Sequence, residues 1–345
     1  MKKEIYGKTR EGKDVYTYTM SNKNGMEITV MNFGALLTNI FVPDKNGVKK
    51  DVALACDCMD TFYQNLSFLG STVGPSANRI GGAVAQIDGV TYHLDKNDGE
   101  NNLHSDIPNG MNKMLWDAEE KENAVTFTTS LKDGAMHLPG NRSFSVTYTL
   151  TEENEIKIDY YVTSDKNTII NMTNHSYFNL AGHDAGSIVN HEVQLNASHY
   201  TEIFPGAIPT GNIVSVKGTP LDFTSRKQIA KEIDADFEQL QLVKGYDHNF
   251  VVDNYDGTLR EIAQVWEPES GRTMKVFTDL PGVQFYTGNN MDKDNGKDGM
   301  VYLMRYGLCL ETQYYPDSIH HDNFPSTIFG PDRPFKSTTI YQFNK

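Results

Sequence analysis

The feature that most limits what this chain can fold into is alternation with a period of two residues. Phe144, Val146, Tyr148 and Leu150 alternate with Ser145, Thr147 and Thr149. After Glu152, Glu153 and Asn154, the pattern resumes at Ile156, Ile158, Tyr160 and Val162. Successive side chains of a strand point to opposite faces, so the pattern predicts two half-buried antiparallel strands joined by a polar turn. Ile28 and Val30 alternate likewise, and residues 124–131 and 273–279 are further strand candidates, rich in β-branched and aromatic residues. Clusters of Asp, Asn and Gly punctuate these runs at 44–47, 97–99 and 256–257. Helical spacing is scarce. Residues 226–233 are expected to make about two turns of helix and residues 60–65 about one. There is no repeat of 20–50 residues and no linker rich in Pro, Ser and Gly, and the turn-rich stretch 288–300 reads as a surface loop within the fold. The expectation is therefore an all-β protein, a large antiparallel β-sandwich with a few short helices, forming one domain over 1–345.

Composition narrows the function. Lys and Arg number 31 against 45 Asp and Glu, a net charge of −14, with no basic stripe, which argues against a nucleic-acid partner. The three cysteines, Cys56, Cys58 and Cys309, leave at least one unpaired within the chain, which fits a reducing, cytoplasmic setting. Cys56 and Cys58 would share a face if on a strand, and read as packed thiols rather than as half of a metal site. The first residues, MKKEIYGKTREGKDV, hold no apolar signal core, and no run of about 18 apolar residues suits a membrane span. Glycine-loop nucleotide motifs, a GxSxG elbow, HExxH and an EF-hand loop are all absent. His320 and His321 read as a solvated pair beside Asp322 rather than a metal site.

Polar residues that interrupt apolar strand runs are the informative ones. Glu311 follows Leu308, Cys309 and Leu310. Burial there would raise its pKa and suit it to general-base work; the plainer alternative is an ion pair with Arg305. His175 sits among Asn171, Asn174, Tyr177 and Asn179. An imidazole exchanges a proton near neutrality, yet a core His bonded to a carbonyl would look the same. Asp247 and His248 would face opposite sides of a strand, so at most one points into a given pocket. Arg79, beside Asn78, could hold a hydroxyl or a carboxylate, or simply form a salt bridge. His104, in ENNLHSD, completes the set.

Taken together and in order, these segments resemble the aldose 1-epimerase (galactose mutarotase) family. The likeness runs through Thr29–Ala35, Ala77–Ile80, Asn102–His104, His175–Leu180, Gly218–Phe223, Gly245–Phe250, Pro281–Gly288, Cys309–Gln313 and Asp322–Ser326. Any one segment is weak; nine in register are specific. The resemblance implies a galactose mutarotase-like supersandwich, a free monosaccharide as substrate, no cofactor, no metal, no membrane or nucleic-acid partner, and a monomer or homodimer. It implies interconversion of the α and β anomers of hexoses such as galactose or glucose. Glu311 would be the base at the C1 hydroxyl and His175 the acid at the ring oxygen. Asp247, Arg79 and His104 would anchor the sugar, with Asn78 and Gln284 as further contacts, and His104 is also a candidate to orient or tune the proton donor.

The sequence departs from the family pattern in three places. The usual His-Gly-Gly reads His104-Ser105-Asp106, the usual Gly-Tyr-Pro-Gly loop is Met136–Gly140, and Pro75-Ser76 stands where a Gly-Arg start is common. These changes bear on which sugar is preferred more than on the reaction. Three other readings compete: a hexose-6-phosphate 1-epimerase, a non-catalytic sugar sensor on the same fold, and a glycosidase using Glu311 and Asp247. The charge of −14 disfavours the first, because a phosphate dianion wants added Arg or Lys.

Overall fold

The computed structural model describes residues 1–344. The alternating runs become strands as expected. Arg142–Leu150 and Glu155–Ser164 pair antiparallel, with Phe144 opposite Val162 and Val146 opposite Tyr160. They lie inside a nine-stranded sheet that runs, edge to edge, through 117–121, 124–131, 142–150, 155–164, 335–344, 273–278, 260–266, 192–195 and 227–228. Two five-stranded sheets complete the sandwich. One is a meander of the first five strands, Lys2–Lys8 to Lys49–Asp51. The other runs Ile208–Ser215, His199–Phe204, Asp247–Val251, Gly282–Tyr286, Cys309–Gln313. One apolar cluster draws on all three: Ile28 and Val30, Phe127, Val146 and Ile158, and Phe250, Phe285 and Leu310. Period-two patterning thus gives each sheet one face for a common core, which is the physical basis of a sandwich.

The two α-helices among the described residues are short, Met59–Gln64 and Glu238–Val243. The first meets the expectation for 60–65. The expected helix over 226–233 does not form: Lys227–Gln228 is an edge strand and Ile229–Lys231 a single 3₁₀ turn. Tertiary pairing overrides the local spacing here. Lys227 pairs with Val193 in the large sheet, and its buried ammonium donates to the Pro220 carbonyl at 2.7 Å and to Glu232 at 2.9 Å.

The stretch 288–300 is more than a surface loop. Asp292–Asn295 pairs with Val301–Leu303 as a small hairpin. Its turn is pinned by Lys297, buried, whose ammonium donates to Asp51 at 2.5 Å and to the Thr38 carbonyl at 2.8 Å. Cys56 and Cys58 lie on no strand; Cys56 is buried, whereas Cys58 is exposed at the start of the first helix. His320 and His321 lean on Asp317, not Asp322, with His320 Nδ1 at 2.6 Å. Among the described residues, no helix is long and apolar enough to cross a membrane.

Candidate active site

A cleft of about 330 Å³ opens at one end of the second five-stranded sheet. That is the lower end of the range typical for small-molecule sites. The sequence explains why it is polar on one side and solid behind. In the antiparallel register, Asp247 faces Tyr286, Gln284 faces both Asn249 and Glu311, and Tyr286 faces Cys309. Residues two apart share a face. Asp247, Asn249, Gln284, Tyr286, Cys309, Glu311 and Gln313 therefore form one face. Phe250, Val283, Phe285 and Leu310 form the other, which packs into the core.

Three further pieces close the cleft. The strand Thr173–His175, paired to Ser71–Val73, brings in His175. The pair Arg79–Ile80 and Asn102–Leu103 brings in Asn78, Arg79 and His104. The hairpin at 292–303 contributes Asp292 and Asp294. Of the residues expected at a site, Glu311, His175, Asn78, Arg79, His104 and Asp247 all border this one cleft. Gln284 does not; it is buried behind Asp247 and donates to its Oδ1 at 2.7 Å. Glu311 does not pair with Arg305, which binds Asp234 instead. His248 faces the core, edge-on to Tyr200.

His175 Nε2 lies 3.6 Å from Glu311 Oε2, both side chains almost wholly buried. Burial disfavours the charged form of each. It holds His175 down at about 4, with only its own backbone carbonyl pulling upward. It pushes Glu311 well above the usual carboxylate range; the nearby Asp247 adds to this and Arg79 opposes it. Geometry alone would allow an ion pair, whereas desolvation favours neutral acid beside neutral imidazole. The two descriptions count the same single proton and differ only in which side chain carries it.

His175 is held as a ring between rings. Tyr177 stacks on it at 5.1 Å and Phe68 at 6.1 Å, and Tyr286 meets it edge-on at 6.4 Å. Cys309 Sγ stands 3.5 Å from Nδ1. These aromatics offer an apolar wall, the usual complement to the C–H face of a small polar ligand.

His104 is oriented by backbone. The Asn78 N–H donates to its Nδ1 at 3.1 Å, and the His104 N–H donates to the Asn78 carbonyl at 3.0 Å. With Nδ1 accepting, a neutral ring carries its hydrogen on Nε2. Burial, His175 and Arg79 all hold His104 well below the usual histidine range, so it stays neutral. Arg79 is steadied through Nε by Asp98 at 2.8 Å. Asp247 is raised by burial, against the opposing pull of Arg79 and the Gln284 amide.

Four non-glycine residues at or beside this cleft have left-handed backbone. Phe68, Asn78, His104 and Ser105 have φ of 57°, 58°, 53° and 67°. Left-handed conformation is uncommon for such residues and clusters at functional sites. Ser105 stands where the family pattern has Gly, which would adopt this φ without strain. Its hydroxyl compensates by donating to the Ser76 carbonyl at 3.1 Å and accepting from the Ser76 N–H at 2.9 Å. Two of the departures thus bond to each other. Asp106 does not border the cleft, so the extra carboxylate leaves the wall unchanged.

His104, His175 and Glu311 offer donor atoms all within 4.8 Å of one another, the one such group among the described residues. The set does not suit a cation. With Nδ1 of His104 occupied by Asn78, its Nε2 bears hydrogen and has no lone pair to give. A hydrogen donor at His104 and an unpartnered oxygen at Glu311 instead suit a neutral, hydroxyl-rich ligand.

Residues that sequence reasoning missed are Phe68, Tyr286, Asp292 and Asp294, which border the cleft. Tyr286 was accessible by parity with Gln284; nothing local marked the other three.

The family model described as aldose 1-epimerase matches residues 16–342. An aldose 1-epimerase of Escherichia coli (strain K12) is 36% identical over 96% of both chains. A galactose mutarotase of Homo sapiens is 34% identical over 99% of this chain and 97% of that one. Among solved structures, an aldose epimerase homologue from C. elegans superposes with a TM-score of 0.87 at 30% identity, covering 95% of this chain and 98% of the other.

Proposed function

The chain belongs to the aldose 1-epimerase family, and on that premise we propose that it interconverts the α and β anomers of free hexoses such as galactose and glucose, with Glu311 and His175 exchanging the protons. The observation that carries the roles is the 3.6 Å approach of the two buried groups in one cleft.

The chemistry balances without solvent. Glu311, as carboxylate, takes the proton from the C1 hydroxyl. The bond from C1 to the ring oxygen breaks, C1 becomes a carbonyl carbon, and the ring oxygen takes the proton that His175 carries. The C1–C2 bond turns and the ring closes on the other face, reversing both transfers. The pair holds one proton before ring opening and one after. The charged arrangement complements the closed ring, and the neutral arrangement complements the open chain. Burial favours the neutral arrangement in the free site, and a bound closed ring would draw the pair toward the charged one. Each group is expected to contribute about 10²–10⁴-fold.

Asp247, His104, Arg79 and Asn78 supply the directional contacts a hydroxyl-rich ligand needs, and Gln284 acts through Asp247. Replacing Arg79 by Ala is expected to raise KM roughly tenfold, the worth of one charge-assisted hydrogen bond, while kcat changes little. Steady-state polarimetry separates the two constants.

The charge of the cleft opposes phosphorylated sugars. Among the described residues, Arg79 is the one Lys or Arg bordering it and Asp98 already holds it, while the remaining ionisable side chains there are histidines and carboxyls, tyrosines aside. The value of kcat/KM for glucose 6-phosphate is expected to be on the order of a hundredfold below that for glucose. Equal values would restore the phosphosugar reading.

The test of the function is the optical rotation of freshly dissolved α-galactose. Its decay should accelerate in proportion to protein concentration. A sugar-binding protein without activity would leave the decay at the buffer rate, and that result would overturn the proposal.

A further inference from the structure

Behind the cleft, three buried amides form a chain. Asn249, Gln284 and Gln313 are 2%, 4% and 0% exposed and share the cleft-facing side of their strands. Gln313 Nε2 donates to Asn249 Oδ1 at 3.1 Å and to Gln284 Oε1 at 3.2 Å. Gln284 Nε2 then donates to Asp247 Oδ1 at 2.7 Å.

The direction of this chain is set by its end at Asp247, whose carboxylate can only accept. An amide nitrogen has two hydrogens, and Gln313 gives one to each neighbour. Both neighbours must therefore turn their oxygens toward Gln313. An amide with its oxygen turned one way has its NH₂ turned the other, so Gln284 meets Asp247 as a donor. Rotated by half a turn, Gln284 would present its oxygen to the Asp247 carboxylate, acceptor against acceptor.

A second observation shows that the fold keeps room for this arrangement. Gly282 lies directly opposite Gln313. A Cβ there would stand 2.5 Å from Asn249 Oδ1 and 2.9 Å from the Tyr315 ring. Its φ is not left-handed, so the backbone would accept another residue, and the glycine is required by space alone. The space it leaves is where Asn249 turns its oxygen toward Gln313.

We propose that Gln313 is a positioning residue for sugar binding: it locks the amide of Gln284 so that Asp247 receives a donor at Oδ1 and keeps Oδ2 for a sugar hydroxyl. This rests on the reading of Asp247 as a sugar-binding group. Gln313 touches neither substrate nor the reacting atoms and works two side chains away.

The test is Gln313→Glu, nearly the same shape but with an oxygen where the donor was. Asn249 and Gln284 would both turn their NH₂ groups toward the new carboxylate, and Gln284 would face Asp247 with its oxygen. Expected are a KM for galactose raised roughly tenfold, from one charge-assisted hydrogen bond turned from favourable to unfavourable, and a kcat within about threefold of wild type. Gln313→Met, which removes the donor without adding charge, should raise KM in the same direction by a smaller factor. It serves if the Glu variant does not fold, as judged by near-ultraviolet circular dichroism. Because Gln313 acts through Asp247, its effect should vanish once Asp247 is Asn: the double variant Asp247→Asn, Gln313→Glu should have the KM of Asp247→Asn or a lower one. A KM unchanged in folded Gln313→Glu and Gln313→Met overturns the proposal, as do effects that multiply in the double variant. Failure of the functional reading itself is distinguishable, since wild-type protein would then not accelerate mutarotation at all.

Discussion

Glu311→Gln is expected to lower kcat for mutarotation roughly a thousandfold, the middle of the range for loss of a positioned general base. The amide keeps the shape of the side chain and cannot take the C1 proton. Its neutral head also removes a desolvation cost, since burial already pushes the carboxyl well above its usual range. The folded protein should thus be at least as stable as wild type, and the lost activity cannot be assigned to unfolding. KM should change by only a few-fold, because Asp247, His104 and Arg79 remain. Polarimetry at saturating galactose gives kcat, and urea titration gives stability. His175→Asn should produce a loss of similar size by removing the proton donor to the ring oxygen.

The second large effect is on stability in acid. His175, His191 and His248 are buried, and burial holds them at about 4, about 4 and about 3. His104 is also held well below its usual value. In the unfolded chain each would titrate near 6.5. The folded-state values are depressed, so the stability is present in full above about pH 6.5 and is lost as pH falls through about 4, while the unfolded chain takes up protons the fold refuses. Glu311 and Asp247, with Asp279 and Asp294, act in the opposite sense, since their raised values let the fold gain protons on acidification. Asp279 and Asp294 are only half-buried, whereas the four histidines are buried, so the unfolding free energy from urea titration should fall between pH 7 and pH 5. His248→Phe, on the core face and away from the cleft, should make that fall shallower by about one proton. A stability independent of pH over this range would contradict the burial argument.

Much of this was legible in the sequence because strand parity is a local code. Phe144 to Leu150 announced a core face, and the polar interruptions at Asp247 and Glu311 announced a face that was not core. The same parity marks Asn249, Gln284 and Gln313, which share a side with Asp247 and Glu311 and turn out to stand behind the site. What was not legible depends on contacts far along the chain. Residues 226–233 carry helical spacing, yet Lys227 is drawn to the sheet edge by Val193 and to the Pro220 carbonyl. The hairpin carrying Asp292 and Asp294 reaches the cleft because Lys297 is buried against Asp51, 246 positions earlier. Phe68 enters by a left-handed turn that no propensity favours.

The central claim is that Glu311 and His175 work as one unit around a single shared proton. The most direct test is the galactose mutarotation rate of the double variant Glu311→Gln, His175→Asn beside the two single variants. If the groups are one unit, the double variant is within about threefold of the slower single variant, since neither transfer proceeds without the other. Losses that multiply, or single variants that keep near wild-type kcat, would contradict it.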